Sequence, residues 1–159
     1  MANKHNQHAD HNDKMYTKLL AMAVFSFIAM YTLMYSMVNT FRDIYPSFNQ
    51  FYMAGLMTAP MVLIEIVLMG AMYKNKKLNI IIAAVCVLVG LLFFLGIRQQ
   101  TAISDKEFLR SMIPHHSGAI LMCREANITD PDIKSLCQTI MEGQQQEIDQ
   151  MRAILNKAN

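Results

Sequence analysis

Two adjacent histidines in the C-terminal third of the chain are the residues best suited to bind a metal ion. His115 and His116 lie in a segment whose apolar residues recur with the period of a helix, so imidazoles and nearby thioethers share one broad helical face. This donor set favours Cu(I), or Ag(I) as its analogue, whereas Zn(II) more often takes several Cys, His or carboxylate ligands. We therefore predict a copper site with these candidate ligands: Met112, His115, His116, Met122, Met141, Glu147 and Met151.

The same residues also fit a purely structural interpretation. Methionine fills irregular gaps in helical cores, and an imidazole can be satisfied by hydrogen bonds to Gln144 or Glu147. We favour the metal, because two histidines are adjacent and several thioethers lie within reach. In that case Gln144 is a candidate for a residue that orients a metal ligand by a hydrogen bond and does not itself bind the ion.

Two helices are needed to position these side chains. Ser104 and Glu107 have the spacing of a capping box, which predicts a helix that begins near Asp105. Residues 127–131 end in a proline and predict a turn followed by a second helix. A connection this short predicts an antiparallel hairpin in which the numbers of facing residues add up to about 260.

Cys123 and Cys137 face one another in this register. In an oxidising compartment they could form a disulfide; the alternatives are two small buried core residues or two soft copper ligands. The chain has one further cysteine, Cys86, which falls in a hydrophobic block.

The string Met112-Ile-Pro-His-His116 resembles the domain of unknown function 305 family. That family's pattern runs from acid-x-x-Phe through Met-x-Pro-His-His and Ala-x-x-Met to Gln-x-x-Glu-x-x-x-Met, and here it covers residues 105–155, about a third of the chain. The resemblance implies a ferritin-like helical fold outside the cytoplasm, with copper binding proposed for some members. Many members are longer, so we expect this single hairpin to be completed by oligomerisation or by packing on loops and span ends.

The chain is too apolar for one soluble domain, since 53% of its 159 residues are hydrophobic and only 16% are charged. The excess lies in blocks close to the roughly 20 residues with which a helix crosses a bilayer. We predict an integral, all-α membrane protein with spans at residues 19–38, 53–73 and 78–97. The predicted domains are a disordered, histidine-containing tail (1–15), a three-helix membrane region (16–98) and an external helical hairpin (99–159).

The distribution of lysines predicts the orientation in the membrane. Short cytoplasmic segments collect basic residues, and here these cluster before the first span and between the second and third. The N-terminus is therefore expected in the cytoplasm, and the hairpin in the periplasm or outside the cell, on an inner or plasma membrane. The lysines concerned are Lys4, Lys14, Lys18, Lys74, Lys76 and Lys77.

Glu65 lies at mid-depth of the predicted second span, where a carboxylate must be paired, wetted or protonated. It fits a relay for ions or protons, or equally a hydrogen bond to Tyr31, Tyr35 or Ser36. Methionines in the spans fit a Cu(I) path or ordinary packing, and we favour packing. Further candidates are Met30, Met34, Met57 and Met61 in the spans and His5, His8 and His11 in the tail.

These observations favour a membrane-anchored protein that captures, stores or confers tolerance to copper. The alternatives are a small oligomeric copper transporter that uses the intramembrane methionines and Glu65, and a structural membrane subunit that binds no metal. No enzyme is indicated, because no Glu-x-x-His or His-Glu-x-x-His motif occurs. The basic residues form no stripe for nucleic acid, so the expected partners are the lipid bilayer, a metal ion and further copies of the chain.

Overall fold

The structure, a computed structural model, describes the backbone of residues 2–157 and the side chains of residues 14–157. All regular elements in this part of the chain are helices and none is a strand, which confirms the predicted all-α class. The helices are α1 (Ala2–Leu33), α2 (Phe48–Leu68), α3 (Lys76–Gln99), α4 (Asp105–Glu125) and α5 (Pro131–Lys157), with 3₁₀ helices at Met34–Met37 and Phe41–Asp43.

Three stretches of helix are long and apolar enough to cross a bilayer: Lys14–Met37, Phe48–Leu68 and Lys76–Gln99. Most of their large apolar side chains are exposed on the protein surface, as expected of helices surrounded by lipid. The chain up to Thr32 and Phe51–Thr101 form one compact unit, here called the membrane unit. Its small core contains Leu19, Val62, Ile66 and Tyr73.

The second span lies earlier in the sequence than predicted. It was placed at residues 53–73, but α2 begins at Phe48 and ends at Leu68. The apolar residues that follow form a turn, in which the backbone N–H of Met72 donates to the carbonyl of Met69 at 2.8 Å. Gly70 lies in this turn, and glycine weakens a helix, so hydropathy alone extended the span too far.

The N-terminal tail was predicted to be disordered over residues 1–15. The helical backbone of α1 begins at Ala2. Met1 and the side chains of residues 1–13, including His5, His8 and His11, lie outside the described residues. Both the disorder and the metal capture by this tail stay predictions.

The second compact unit, here called the hairpin unit, consists of Leu33–Gln50 and the chain from Ala102 onward. Within it, α4 begins at Asp105 as predicted, and the Ser104 hydroxyl caps it by accepting from the Glu107 N–H at 3.5 Å. The helix α5 begins at Pro131. Its cap is Asp130, whose carboxylate accepts from the backbone N–H of Asp132 at 2.9 Å.

The core of the hairpin unit is not formed by the two helices alone. Ile113 on α4 and Ile148 on α5 are almost completely buried, and Tyr45, from the segment between α1 and α2, packs against the same cluster. A hairpin of two helices buries too little apolar surface to be stable, and this segment supplies additional cover. The sequence allowed packing on a loop but did not indicate that residues 33–50 belong to the hairpin.

Candidate metal centre

Among the described residues of the hairpin unit, His116 is the best-positioned candidate for a metal ligand. Its side chain is 11% exposed, and its Nδ1 lies 2.9 Å from the backbone carbonyl oxygen of Met112, one turn earlier on α4. A carbonyl oxygen only accepts, so Nδ1 carries the proton and donates this bond. Metal-binding histidines are commonly held in this way, with one nitrogen donating to a carbonyl and the other directed at the ion.

The other ring nitrogen of His116 points toward α5. Nε2 lies 2.8 Å from Oε2 of Glu147, whose side chain is 55% exposed. The same carboxylate oxygen lies 3.5 Å from the amide nitrogen of Gln144, so Gln144 contacts the residue that is paired with His116. When Nδ1 is the donor to Met112, contact with an ionised Glu147 requires a second proton on Nε2, which a bound metal ion would replace.

Three of the four predicted methionine ligands lie in the apolar cluster of the hairpin. Met151 is buried, and Met112 and Met141 are half-buried and pack against the same cluster. Among residues 14–157 no three His, Cys, Asp or Glu side chains are grouped so that they could hold a metal ion. A soft ion at His116 would therefore depend on thioethers from this cluster for further ligands.

The remaining two candidates, His115 and Met122, have exposed side chains. His115 is exposed, although its ring centroid lies 6.0 Å from that of His116. Met122 is 55% exposed and is not part of the apolar cluster. Their common arc on an ideal helix does not bring all candidates to one point, because the facing helix covers only part of that arc.

The two cysteines of the hairpin unit are bonded to each other. Cys123 near the end of α4 and Cys137 near the start of α5 form a disulfide, with their Cα atoms 5.3 Å apart. These are the positions that the sequence placed level with each other. The bond connects the two helices close to the turn, and its sulfur atoms are therefore not available as metal ligands.

Glu65, the candidate relay residue of the spans, has a different position and partner from those predicted. Glu65 lies in the last turn of α2 rather than at mid-depth, because the helix ends at Leu68. Its partner is Tyr73, whose hydroxyl donates to Oε1 at 3.3 Å, and not one of the tyrosines or the serine expected. Burial, followed by the charge of Glu65, raises the pKa of the Tyr73 phenol above its ordinary value.

The methionines of the spans also differ among themselves. Met30 faces α2, where its sulfur lies 3.7 Å from the hydroxyl of Thr58. Met57 is exposed, whereas Met61 is half-buried. Met34 belongs to the first 3₁₀ helix of the hairpin unit. This distribution is typical of packing and lipid contact, the interpretation that we favoured.

Sequence reasoning missed a buried polar group that joins three segments of the hairpin unit. Asp43 is only 4% exposed and contacts the Ser117 hydroxyl on α4 and the Arg152 guanidinium on α5. It also accepts from the Thr40 hydroxyl at 3.2 Å. No local pattern indicates this group, since 109 residues separate Asp43 from Arg152. We call Thr40, Asp43, Ser117 and Arg152 the Asp43 cluster.

The protein is helical, with three potential membrane spans and a disulfide-bonded hairpin that carries a His-His pair. Residues 94–155 match the family described as Domain of unknown function (DUF305). The chain is 37% identical over 142 residues to an uncharacterized protein of Acanthamoeba polyphaga mimivirus. The aligned region covers 87% of this chain and 91% of that protein. No solved structure matches. The chain belongs to the DUF305 family, as the motif around His115 and His116 predicted.

Proposed function

We propose that this protein is a membrane-anchored metal-handling protein that binds Cu(I), or Ag(I), in its hairpin unit for capture, storage or tolerance. The ion binds Nε2 of His116, and thioethers of the apolar cluster complete its coordination. Glu147 lies beside it. The Cu(I) ion accepts such a soft set at low coordination number, whereas Zn(II) would ask for more nitrogen, thiolate or carboxylate ligands.

The observation that carries this proposal is the hydrogen bond from Nδ1 of His116 to the carbonyl of Met112 at 2.9 Å. This bond fixes the tautomer and the ring plane before any ion arrives, so that Nε2 is presented toward α5. Fixed ring geometry reduces the entropy lost on binding. The neighbouring Glu147 can offset the positive charge of the ion, because it already lies 2.8 Å from Nε2.

A transporter is less well supported than an anchored binder. Glu65 lies at the end of α2 with Tyr73 as its partner, and Met57 is exposed on the surface of the membrane unit. We therefore assign the spans the role of an anchor. Retention of Cu(I) outside vesicles that contain the oriented protein would agree with an anchor; protein-dependent Cu(I) entry would favour the transporter.

The disulfide supports the orientation that the lysines suggest. Disulfides persist in oxidising compartments, so Cys123–Cys137 favours a hairpin in the periplasm or outside the cell and an N-terminus in the cytoplasm.

We also propose that a second copy completes a ferritin-like four-helix arrangement. In support, several large apolar side chains of the hairpin are exposed: Phe108, Met122, Ile133, Leu136 and Ile154.

Replacing Met151 by Leu is expected to weaken Cu(I) binding by the full-length chain about tenfold and Zn(II) binding much less, because only the soft ion gains from a thioether. Leucine keeps the core volume, so the fold is retained. Equilibrium competition with a coloured Cu(I) chelator, anaerobically and without thiol reductant, measures the loss and leaves the disulfide intact. The matched control is Met122→Leu, which changes an exposed methionine. Equal losses for both ions would contradict a thioether ligand at Met151, and a wild-type chain that binds no Cu(I) would contradict the function.

A further inference from the structure

We propose that Asp43 is a positioning residue for the metal site, acting by fixing α4 and α5 relative to each other where they carry the ligands. This inference rests on the proposed function. The carboxylate of Asp43 contacts Ser117 through Oδ2 and Arg152 through Oδ1, so one buried side chain from the segment between α1 and α2 holds both helices of the hairpin.

The two residues held by Asp43 directly follow two proposed ligands in the sequence. Ser117 follows His116 on α4, and Arg152 follows Met151 on α5. Successive side chains of an α-helix are turned by about 100°, so fixing one residue fixes the direction of its neighbour. A rotation of α5 that released Arg152 would turn the Met151 thioether away by the same angle.

The bonds of this cluster are of the kind that resists such rotation. Asp43 and Ser117 are both buried, and the bond from Arg152 to a carboxylate is charge-assisted. The Ser117 hydroxyl donates to Asp43 and accepts from the backbone N–H of Asn39 at 2.7 Å, so it is satisfied on both sides. Removing one partner would leave a buried polar group or charge unpaired.

A second attachment to α4, made by the first residue of α2, provides a matched control. Glu107 accepts from the backbone N–H of Phe48 at 3.1 Å and pairs with Arg110 at 3.0 Å. This attachment joins the start of α2 to α4, near the start of that helix. It lies more than two turns from His116 along α4 and does not contact α5 through these bonds.

The test compares Asp43→Asn with Glu107→Gln in the full-length chain, by competition for Cu(I) with a coloured chelator. Asp43→Asn is expected to lower the affinity about 10- to 100-fold, the usual effect of removing a residue that orients a ligand, and Glu107→Gln by less than about threefold. If the wild-type chain binds Cu(I) and Asp43→Asn binds it with the same affinity, only the role of Asp43 is overturned. A wild-type chain that binds no Cu(I) would overturn both this role and the proposed function.

A double-mutant cycle separates positioning from general loss of stability. In the Met151→Leu background, Asp43→Asn is expected to lower the affinity several-fold less than it does in the wild-type chain, because one of the two ligands that it positions is already gone. A full 10- to 100-fold loss in that background would show that Asp43 does not act through Met151. If Asp43→Asn fails to fold, Ser117→Ala replaces it, since it removes the contact of Asp43 to α4 and the acceptor of the Asn39 N–H but leaves the contact of Asp43 to Arg152. A loss of about tenfold is then expected, and no loss would overturn the proposal.

Discussion

His116→Ala is expected to lower the affinity of the full-length chain for Cu(I) by more than about 100-fold, because it removes the nitrogen ligand itself rather than a residue that orients one. The imidazole is 11% exposed and is held by Met112 on one side and Glu147 on the other. No other described histidine has such an environment. Anaerobic competition with a Cu(I) chelator measures the loss, and circular dichroism checks that the helices remain.

His115→Ala is the matched control for this prediction. It changes the same residue type at the adjacent position, but His115 is exposed. A surface substitution of this kind is expected to change the affinity by no more than about threefold. Equal losses in the two variants would mean that the pair binds as a unit. A larger loss for His115 than for His116 would contradict the site as we place it.

The Cys123–Cys137 disulfide gives the second large effect. Denatured protein that was purified without reductant is expected to show one reactive thiol per chain, that of Cys86, out of three cysteines. The double variant Cys123→Ser with Cys137→Ser is expected to lower the free energy of unfolding of the hairpin unit by about 3 kcal/mol, since the bond closes a short loop and restricts the unfolded chain. Thiol labelling and chemical unfolding measure the two results.

Cys86→Ser provides the comparison for both measurements. It should abolish the remaining thiol signal and leave the unfolding of the hairpin unit unchanged, because Cys86 lies in α3 of the membrane unit. Three reactive thiols in the wild-type chain would rule out the disulfide. They would also remove the support that it gives to an external, oxidising location.

Local patterns were sufficient to predict the helices of the hairpin. The cap at Ser104 and the proline at position 131 mark starts that the structure reproduces, because capping is decided by neighbouring residues. Hydropathy was less exact for α2, since Met69 and Met72 are apolar but form a turn beyond Leu68. The resulting shift moved Glu65 from mid-depth to the last turn of the helix.

The site was only partly predictable, for a physical reason. The antiparallel register predicted that His116 lies level with Gln144, and the structure pairs it with Glu147, about one turn further along α5. Which of the two adjacent histidines is buried depends on the rotation of α4 against its neighbours. The part played by Asp43 depends on a segment far away in the sequence, and a single sequence carries no signal for such a contact.

The most direct test of the copper site is the X-ray absorption spectrum, at the copper edge, of the full-length chain with one equivalent of Cu(I) and its disulfide intact. We expect scattering from one imidazole and from thioether sulfur, unchanged in His115→Ala and without the imidazole in His116→Ala. A spectrum without sulfur, or one in which the imidazole persists in His116→Ala, would contradict a copper site built on His116 and the methionines of the hairpin.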